Sequence, residues 1–162
     1  MLKTAHIVAG LALALTGGAA NAQLAAHKDL TLPIAVAMAE TAIQTCTAQG
    51  YKVSAHVLGR DAEVIVAMRG DGTGPHTLEN SMRKAYTARM QRRPSGDFAK
   101  AAKENPTIGA LHLANMIPAQ GALPIKVGED VIGAIGVSGA PGGEKDEACA
   151  KAGIDKVADQ LK

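Results

Sequence analysis

The chain has 162 residues, with 17 lysines and arginines against 15 aspartates and glutamates, so its formal net charge is +2. This near-neutral balance argues against a nucleic-acid-binding protein, and no basic run is longer than Arg92-Arg93. Aromatic residues make up only 2% of the chain. Because aromatic side chains bury the largest areas, we expect a homo-oligomer that buries further apolar surface between subunits.

The amino-terminal stretch has the pattern of a secretory signal peptide. Lys3 precedes an apolar segment from Ile7 to about Ala20, and Ala20-Asn21-Ala22 matches an A-x-A cleavage site. The apolar segment is shorter than the roughly 20 residues that a membrane-spanning helix needs. We therefore predict a signal peptide over residues 1–22 and a single domain over residues 23–162. The mature protein is expected to be periplasmic or secreted, without a membrane span.

Apolar residues at helical spacing predict four helices in the remaining chain. Thr31 and Thr77 are plausible N-caps of the first two, because their hydroxyls can accept from free backbone N–H groups. The predicted helices cover residues 32–49, 77–93, 95–104 and 144–161. The apolar face of the second helix is predicted to consist of Leu78, Met82, Ala85, Tyr86 and Met90.

Two pairs of β-prone runs predict two hairpins, because each pair is separated by only three or four turn-forming residues. The predicted strands cover residues 52–58, 63–68, 123–127 and 131–137. Residues 107–121 could form a loop, a strand or both. Strands joined by tight turns are antiparallel, so the fold class is α+β, with one antiparallel sheet of about five strands carrying helices.

The two cysteines, Cys46 and Cys149, leave two alternatives open. In an oxidising compartment they could form a disulfide. Each cysteine also lies in a helical pattern among small apolar residues, where cysteine is often part of the core. The sequence does not define the distance between their Cα atoms, so it does not decide between these alternatives.

The segment "VIGAIGVSGAPGGEKDEAC", residues 131–149, has the strand, glycine loop and helix order of many phosphate sites. A P-loop needs lysine directly after its second glycine, whereas Gly143 is followed by Glu144. Three carboxylates in the first turn of the last helix would also repel a phosphate. The glycines instead predict close backbone approach within the strand and a turn into the last helix. A nucleotide site is therefore not expected.

Three segments resemble one known family. The run "PIKVGEDVIGAIGVSGAPGGEKDEACAKAGID", residues 124–155, resembles the closing signature of the GlcG/HbpS-like family, the haem-binding or haem-degrading domain also found at the carboxy-terminal end of PduO-type proteins. Residues 69–88 resemble its R-x-D-G-A loop and K-A-x-T-A helix, and "LTLPIA" resembles its L-T-L helix start. The resemblance implies an α/β/α sandwich with a profilin-like antiparallel sheet, assembly into homo-oligomers, and haem or a related tetrapyrrole as the ligand.

Haem usually needs an axial histidine, cysteine, methionine or tyrosine, so four histidines are candidates for cofactor binding. His76 is the first choice as a ligand of haem iron, because it follows a glycine-rich loop and directly precedes a predicted helix. His112 lies in the ambiguous segment and could line a pocket. His56 lies in a predicted strand, where packing is the commoner role, and His27 could bind haem only if the amino-terminal arm folds back.

The leading hypothesis is an exported, oligomeric protein that sequesters, transports or senses haem. Its main function would be binding rather than catalysis. One alternative is an enzyme or enzyme accessory for a small hydroxy acid or tetrapyrrole, in which Asp71, His76 and Lys84 would form an acid–base group. The other alternative is a structural partner of another periplasmic protein. No catalytic residue is assigned.

Overall fold

The structure is a computed structural model that describes residues 24–162, so the predicted signal peptide lies outside the described residues. All four predicted helices are confirmed, with slightly different ends. They are α1 (Leu32–Ala48), α2 (His76–Gln91), α3 (Ser95–Glu104) and α4 (Gly143–Lys156), and short 3-10 helices cover Gly109–His112 and Ala158–Gln160. Within the described part of the chain, no helix is long and apolar enough to cross a membrane.

Both predicted hairpins are confirmed, and together they form one antiparallel sheet. Its strands are β1 (Ser54–Leu58), β2 (Val64–Arg69), β3 (Ala122–Val127) and β4 (Asp130–Ser138), arranged in the order β2-β1-β4-β3. The expectation of about five strands is wrong, because the described residues form four. The ambiguous segment is a loop with one 3-10 turn. At its start, Asn105 Oδ1 accepts from the backbone N–H of Thr107. Pro106, just before the segment, and Pro118, within it, supply no N–H for pairing with a strand.

Helices cover both faces of the sheet. α1 and α4 pack together on one face, while α2 lies on the other face with α3 beside it. The period of two in β1 matches this arrangement, since Ala55 and Val57 join the apolar core under α1 and α4. His56, between them, faces α2 and hydrogen-bonds to Ser81. The architecture is therefore a mixed α+β fold with the sheet between two helical layers.

The predicted apolar face of α2 is only partly correct. Ala85 is fully buried, but Met90 is 51% exposed. The face of α2 that meets the sheet consists of small and polar side chains, namely Thr77, Ser81, Lys84, Ala85 and Ala88. The physical reason is the close approach at Gly136, where an added Cβ would lie 2.2 Å from the carbonyl oxygen of Ser81. Large side chains do not fit between α2 and β4 at Gly136.

One of the two predicted N-cap positions is correct, and the other is wrong. Thr31 occupies the N-cap position of α1 but makes no side-chain cap hydrogen bond. Thr77 lies inside α2, whose N-cap position is Pro75, and its hydroxyl donates to the carbonyl oxygen of Gly74 at 2.8 Å. The same hydroxyl lies 2.8 Å from the hydroxyl of Ser54. Thr77 therefore links the start of α2 to β1 by a hydrogen bond and does not cap the helix.

The structure decides between the two alternatives for the cysteines. Cys46 of α1 and Cys149 of α4 form a disulfide, with their Cα atoms 5.7 Å apart and a sequence separation of 103. Both side chains are fully buried where the two helices pack. The disulfide therefore links the two helices of one layer covalently.

Replacing both cysteines with serine is expected to lower the free energy of unfolding by about 2–4 kcal/mol, because the disulfide restricts the unfolded chain. Urea denaturation of the wild type and the Cys46→Ser, Cys149→Ser variant would measure the loss. Adding a thiol reductant under denaturing conditions should lower the stability of the wild type and leave the variant unchanged. Equal stability of the oxidised wild type and the variant would contradict the prediction.

Candidate functional site

A cleft opens where β4 ends and α4 begins. Its volume is about 410 Å³. One wall is the start of α2, with His76 and Asn80, and the opposite wall is the glycine loop over residues 139–143. Ala119 and Gln120 close the third side. The cleft is thus lined by segments that are far apart in sequence, and the fold brings them together at one end of the sheet.

A buried ion pair lies at the floor of this cleft. Lys84 Nζ donates to Asp146 Oδ2 at 2.8 Å and to the carbonyl oxygen of Val137 at 3.2 Å. The other carboxylate oxygen of Asp146 accepts from the backbone N–H of Ala140 at 2.9 Å. Burial raises the pKa of Asp146, whereas the charge of Lys84 and these hydrogen bonds oppose the rise. Because both carboxylate oxygens accept donors, we assign Lys84 and Asp146 as a charged pair.

Gly121 allows the ion pair to be packed this closely. Its φ of +134° is in a region that favours glycine, and an added Cβ would lie 2.8 Å from Lys84 Nζ. Breaking a buried pair of this kind by removing one partner typically costs about 3–5 kcal/mol, since the other charge stays buried. The ion pair therefore constrains the positions of both helices that contribute to it.

Ser138, the last residue of β4, adds a hydroxyl to the cleft. Ser138 is 4% exposed and lines the cleft. Its hydroxyl makes no hydrogen bond within residues 24–162. It lies on the same face of the sheet as His56 and Ser54, and these two side chains are both hydrogen-bonded to α2. The hydroxyl oxygen of Ser138 is not among the buried, unpartnered side-chain atoms of the described residues, so it reaches the open space of the cleft and remains available to a ligand.

The structure places the four predicted histidines in different surroundings. His76 is exposed at the mouth of the cleft, and its imidazole forms no hydrogen bond within the described residues. His112 is exposed at the end of the 3-10 turn, and His27 is exposed with its Nε2 3.5 Å from Asp29 Oδ2. His56 is buried under α2, with Nδ1 2.8 Å from Ser81 Oγ. Of the four, His76 alone lines the cleft.

The alternative acid–base group is not assembled as predicted. His76 and Lys84 line the same cleft, but Asp71 lines another cavity of about 580 Å³ beside α1, together with Tyr51 and Lys52. The carboxylate that meets Lys84 comes instead from Asp146. No group of three or more histidines, cysteines, aspartates or glutamates within residues 24–162 is arranged to hold a metal ion.

Sequence reasoning missed Ser138 and Asp146 as site residues. From the sequence, Asp146 was predicted only as one of three carboxylates in the first turn of the last helix. A usable signal was present in α2, where Thr77, Ser81 and Lys84 are spaced by four and three residues. Polar residues at core spacing indicate a buried polar face, and a buried lysine requires a partner.

Comparisons with known proteins are consistent with this geometry and define the family. The fold is the α+β fold of several solved structures. Residues 30–155 match the model of the family described as haem-degrading protein HbpS-like. The chain therefore belongs to the HbpS-like family.

Three solved structures illustrate the similarity. The crystal structure of HbpS is 33% identical, with a TM-score of 0.78 over 85% of this chain and 96% of that chain. The protein ORFY of Klebsiella pneumoniae is 26% identical, with a TM-score of 0.76 over 85% of this chain and 95% of that chain. A PduOC:haem complex is 16% identical, with a TM-score of 0.72 over 78% of this chain and 94% of that chain, and it shows the shared fold. A search of curated protein sequences gives no match.

The buried position of His56 predicts a pH dependence of stability. Burial lowers the pKa of His56 from its ordinary value of 6.5. The unfolded chain therefore binds a proton at a higher pH than the folded chain, and the free energy of unfolding falls as the pH drops below about 6.5. Above that pH the histidine is neutral in both states and the contribution is constant.

Urea denaturation at about pH 7.5 and about pH 5.5 would measure this fall. The His56→Gln variant, whose amide can still hydrogen-bond to Ser81, should show a smaller difference between the two pH values. The exposed His27→Gln variant serves as the matched control and should behave like the wild type. A His56→Gln variant with the full pH dependence would contradict the assignment.

Proposed function

We propose that this protein binds haem or a related tetrapyrrole, with His76 as the ligand of the iron. Membership of the HbpS-like family supports haem as the ligand. The PduOC:haem complex supports the view that the fold can accommodate haem. The observation in this chain that carries the proposal is the exposed imidazole of His76, which stands at the mouth of the cleft without a hydrogen-bond partner among the described residues.

The residues at the cleft fit one edge of haem rather than the whole ring. The cleft is lined by Asn80, Lys84, Gln120, Ser138 and other polar groups, whereas the porphyrin faces are apolar. The ring would therefore lie at the mouth, where His76 is exposed. Haem bound there would supply a redox-active iron, and the imidazole of His76 would hold it.

The other histidines are less suitable as ligands of haem iron. His56 is buried under α2, and its Nδ1 is engaged with Ser81, so ligation would require α2 to move away from the sheet. His112 and His27 are exposed, but neither lines the cleft. A ligand position beside a cleft favours His76 because neighbouring groups can then hold the rest of the haem.

We also propose that the protein is exported and oligomeric, and that it sequesters, transports or senses haem. The signal-peptide pattern of residues 1–22 supports export, and a buried disulfide suits an oxidising compartment. Exposed large apolar side chains support an oligomer, because subunit contacts would remove them from water. Those with more than half of their surface exposed include Leu32, Val64, Met90 and Leu113.

Hemin titration tests haem binding. Wild-type protein should give a saturable shift of the Soret band at micromolar hemin. The His76→Ala variant should bind hemin about tenfold or more weakly and give a different spectrum, because the iron would lose its histidine ligand. His112→Ala is the matched control, an exposed histidine away from the cleft, and should bind like the wild type. A wild type without a saturable shift would overturn haem binding, and an unchanged His76→Ala spectrum would overturn the ligand assignment.

Cell fractionation and light scattering test the other two parts. The full chain expressed in a bacterium with an outer membrane should be recovered from the periplasm without residues 1–22, as checked by intact mass. The purified protein should have a molar mass that is a multiple of the monomer mass. Full-length protein retained in the cytoplasm would contradict export, and a monomeric mass would contradict the oligomer.

A further inference from the structure

The floor of the cleft carries hydrogen-bond donors that the protein does not use. An ammonium group has three N–H donors. Lys84 Nζ directs two of them at Asp146 and at the carbonyl oxygen of Val137, which leaves one. Ser138, a nearly buried residue that lines the cleft, adds a hydroxyl that makes no hydrogen bond within the described residues. A ligand that accepts hydrogen bonds here would engage both donors.

Two helices also begin at this cleft. α2 starts at His76 and α4 starts at Gly143, and neither has a side-chain cap on its first N–H groups. Free N–H groups at a helix start carry a partial positive charge. Helix starts alone do not define a site, but here they border the same cavity as the buried lysine and the unpaired hydroxyl. All of these groups favour a negatively charged acceptor.

The charge of the cleft limits what that acceptor can be. Asp146 is the one carboxylate among the residues that line the cleft, and Lys84 offsets its charge. Glu144 and Glu147, which follow the glycine loop, line a different cavity next to β3, and the carboxylate of Glu144 lies against Gly142 at the edge of the cleft. A lining with no net charge suits a ligand group with a single negative charge and several acceptor positions. A phosphate dianion would need more positive charge than the cleft provides.

We propose that the floor of the cleft is a binding site for a carboxylate group. Lys84 and Ser138 would donate to its oxygens, with the free N–H groups at the start of α4. The carboxylate could belong to a propionate of haem or to a free small organic acid. The propionate version rests on the proposed haem binding, and it would explain why His76 and Lys84 share one cleft.

Two ligand series distinguish these sources. The first compares hemin with hemin dimethyl ester, which has the same ring and iron but no free carboxylates, by Soret titration. The second adds acetate, with inorganic phosphate for comparison, and follows backbone amide chemical shifts of residues 139–143 by NMR. Each series uses the wild type, Ser138→Ala and Ser95→Ala. Ser95 is a buried serine outside the cleft, and its hydroxyl already accepts from the N–H of Ala122. Thermal melts confirm that each variant is folded.

If a propionate occupies the cleft, the wild type should bind the dimethyl ester about tenfold more weakly than hemin. The Ser138→Ala variant should then bind hemin about tenfold more weakly than the wild type does, and it should bind the ester equally well. If a free acid is the ligand, hemin and its ester should bind equally. Acetate at millimolar concentration should then shift the loop amides of the wild type and of Ser95→Ala, but not those of Ser138→Ala.

Other outcomes separate this inference from the proposed function. Equal binding of hemin and its ester, together with no response to acetate, would overturn the carboxylate site while haem binding stands. A wild type that does not bind hemin would overturn the proposed function, and the acetate series would then decide the carboxylate site alone. Stronger binding of phosphate than of acetate would also overturn the assignment to carboxylate.

Discussion

The ion pair between Lys84 and Asp146 is the contact on which the geometry of the candidate site depends. Lys84 belongs to α2 on one face of the sheet, and Asp146 belongs to α4 on the other face. Their contact therefore crosses the end of the sheet and fixes the middle of α2 relative to the start of α4. The same groups hold the carbonyl of Val137 and the N–H of Ala140, so the exit of β4 and the beginning of the glycine loop are fixed as well.

Different interactions attach the helices to the two faces of the sheet. The face under α1 and α4 carries the main apolar core, which includes Met38, Ile135 and the disulfide. The face under α2 carries a smaller apolar cluster together with hydrogen-bonded pairs such as Ser54 with Thr77. Hydrogen bonds have strict distance and angle requirements, so the polar face positions α2 more specifically than apolar packing would. This suits a layer that has to present a binding cleft.

Local patterns in the sequence predicted most of the fold. The four helices and two hairpins follow from periodicity and turn residues, which act over short stretches of chain. The buried face of α2 was predicted poorly because it depends on Gly136, which lies on a strand more than forty residues further on. The same limit explains why the alternative hypothesis grouped Lys84 with Asp71 and His76, since the actual partner of Lys84 is 62 residues away in sequence. His76 at the cleft could be predicted because a loop directly preceding a helix is a local feature.

The disulfide has a further consequence for the covalent integrity of the molecule. Cys46 and Cys149 enclose all four strands, α2, α3 and the exposed loop after Asn105 within one covalent ring. Exposed loops are preferred sites of proteolytic cleavage. A single cut there leaves the two fragments joined through the disulfide, and the sheet keeps both hairpins. The bond between α1 and α4 thus protects the molecule against loss of a fragment even when its backbone is nicked.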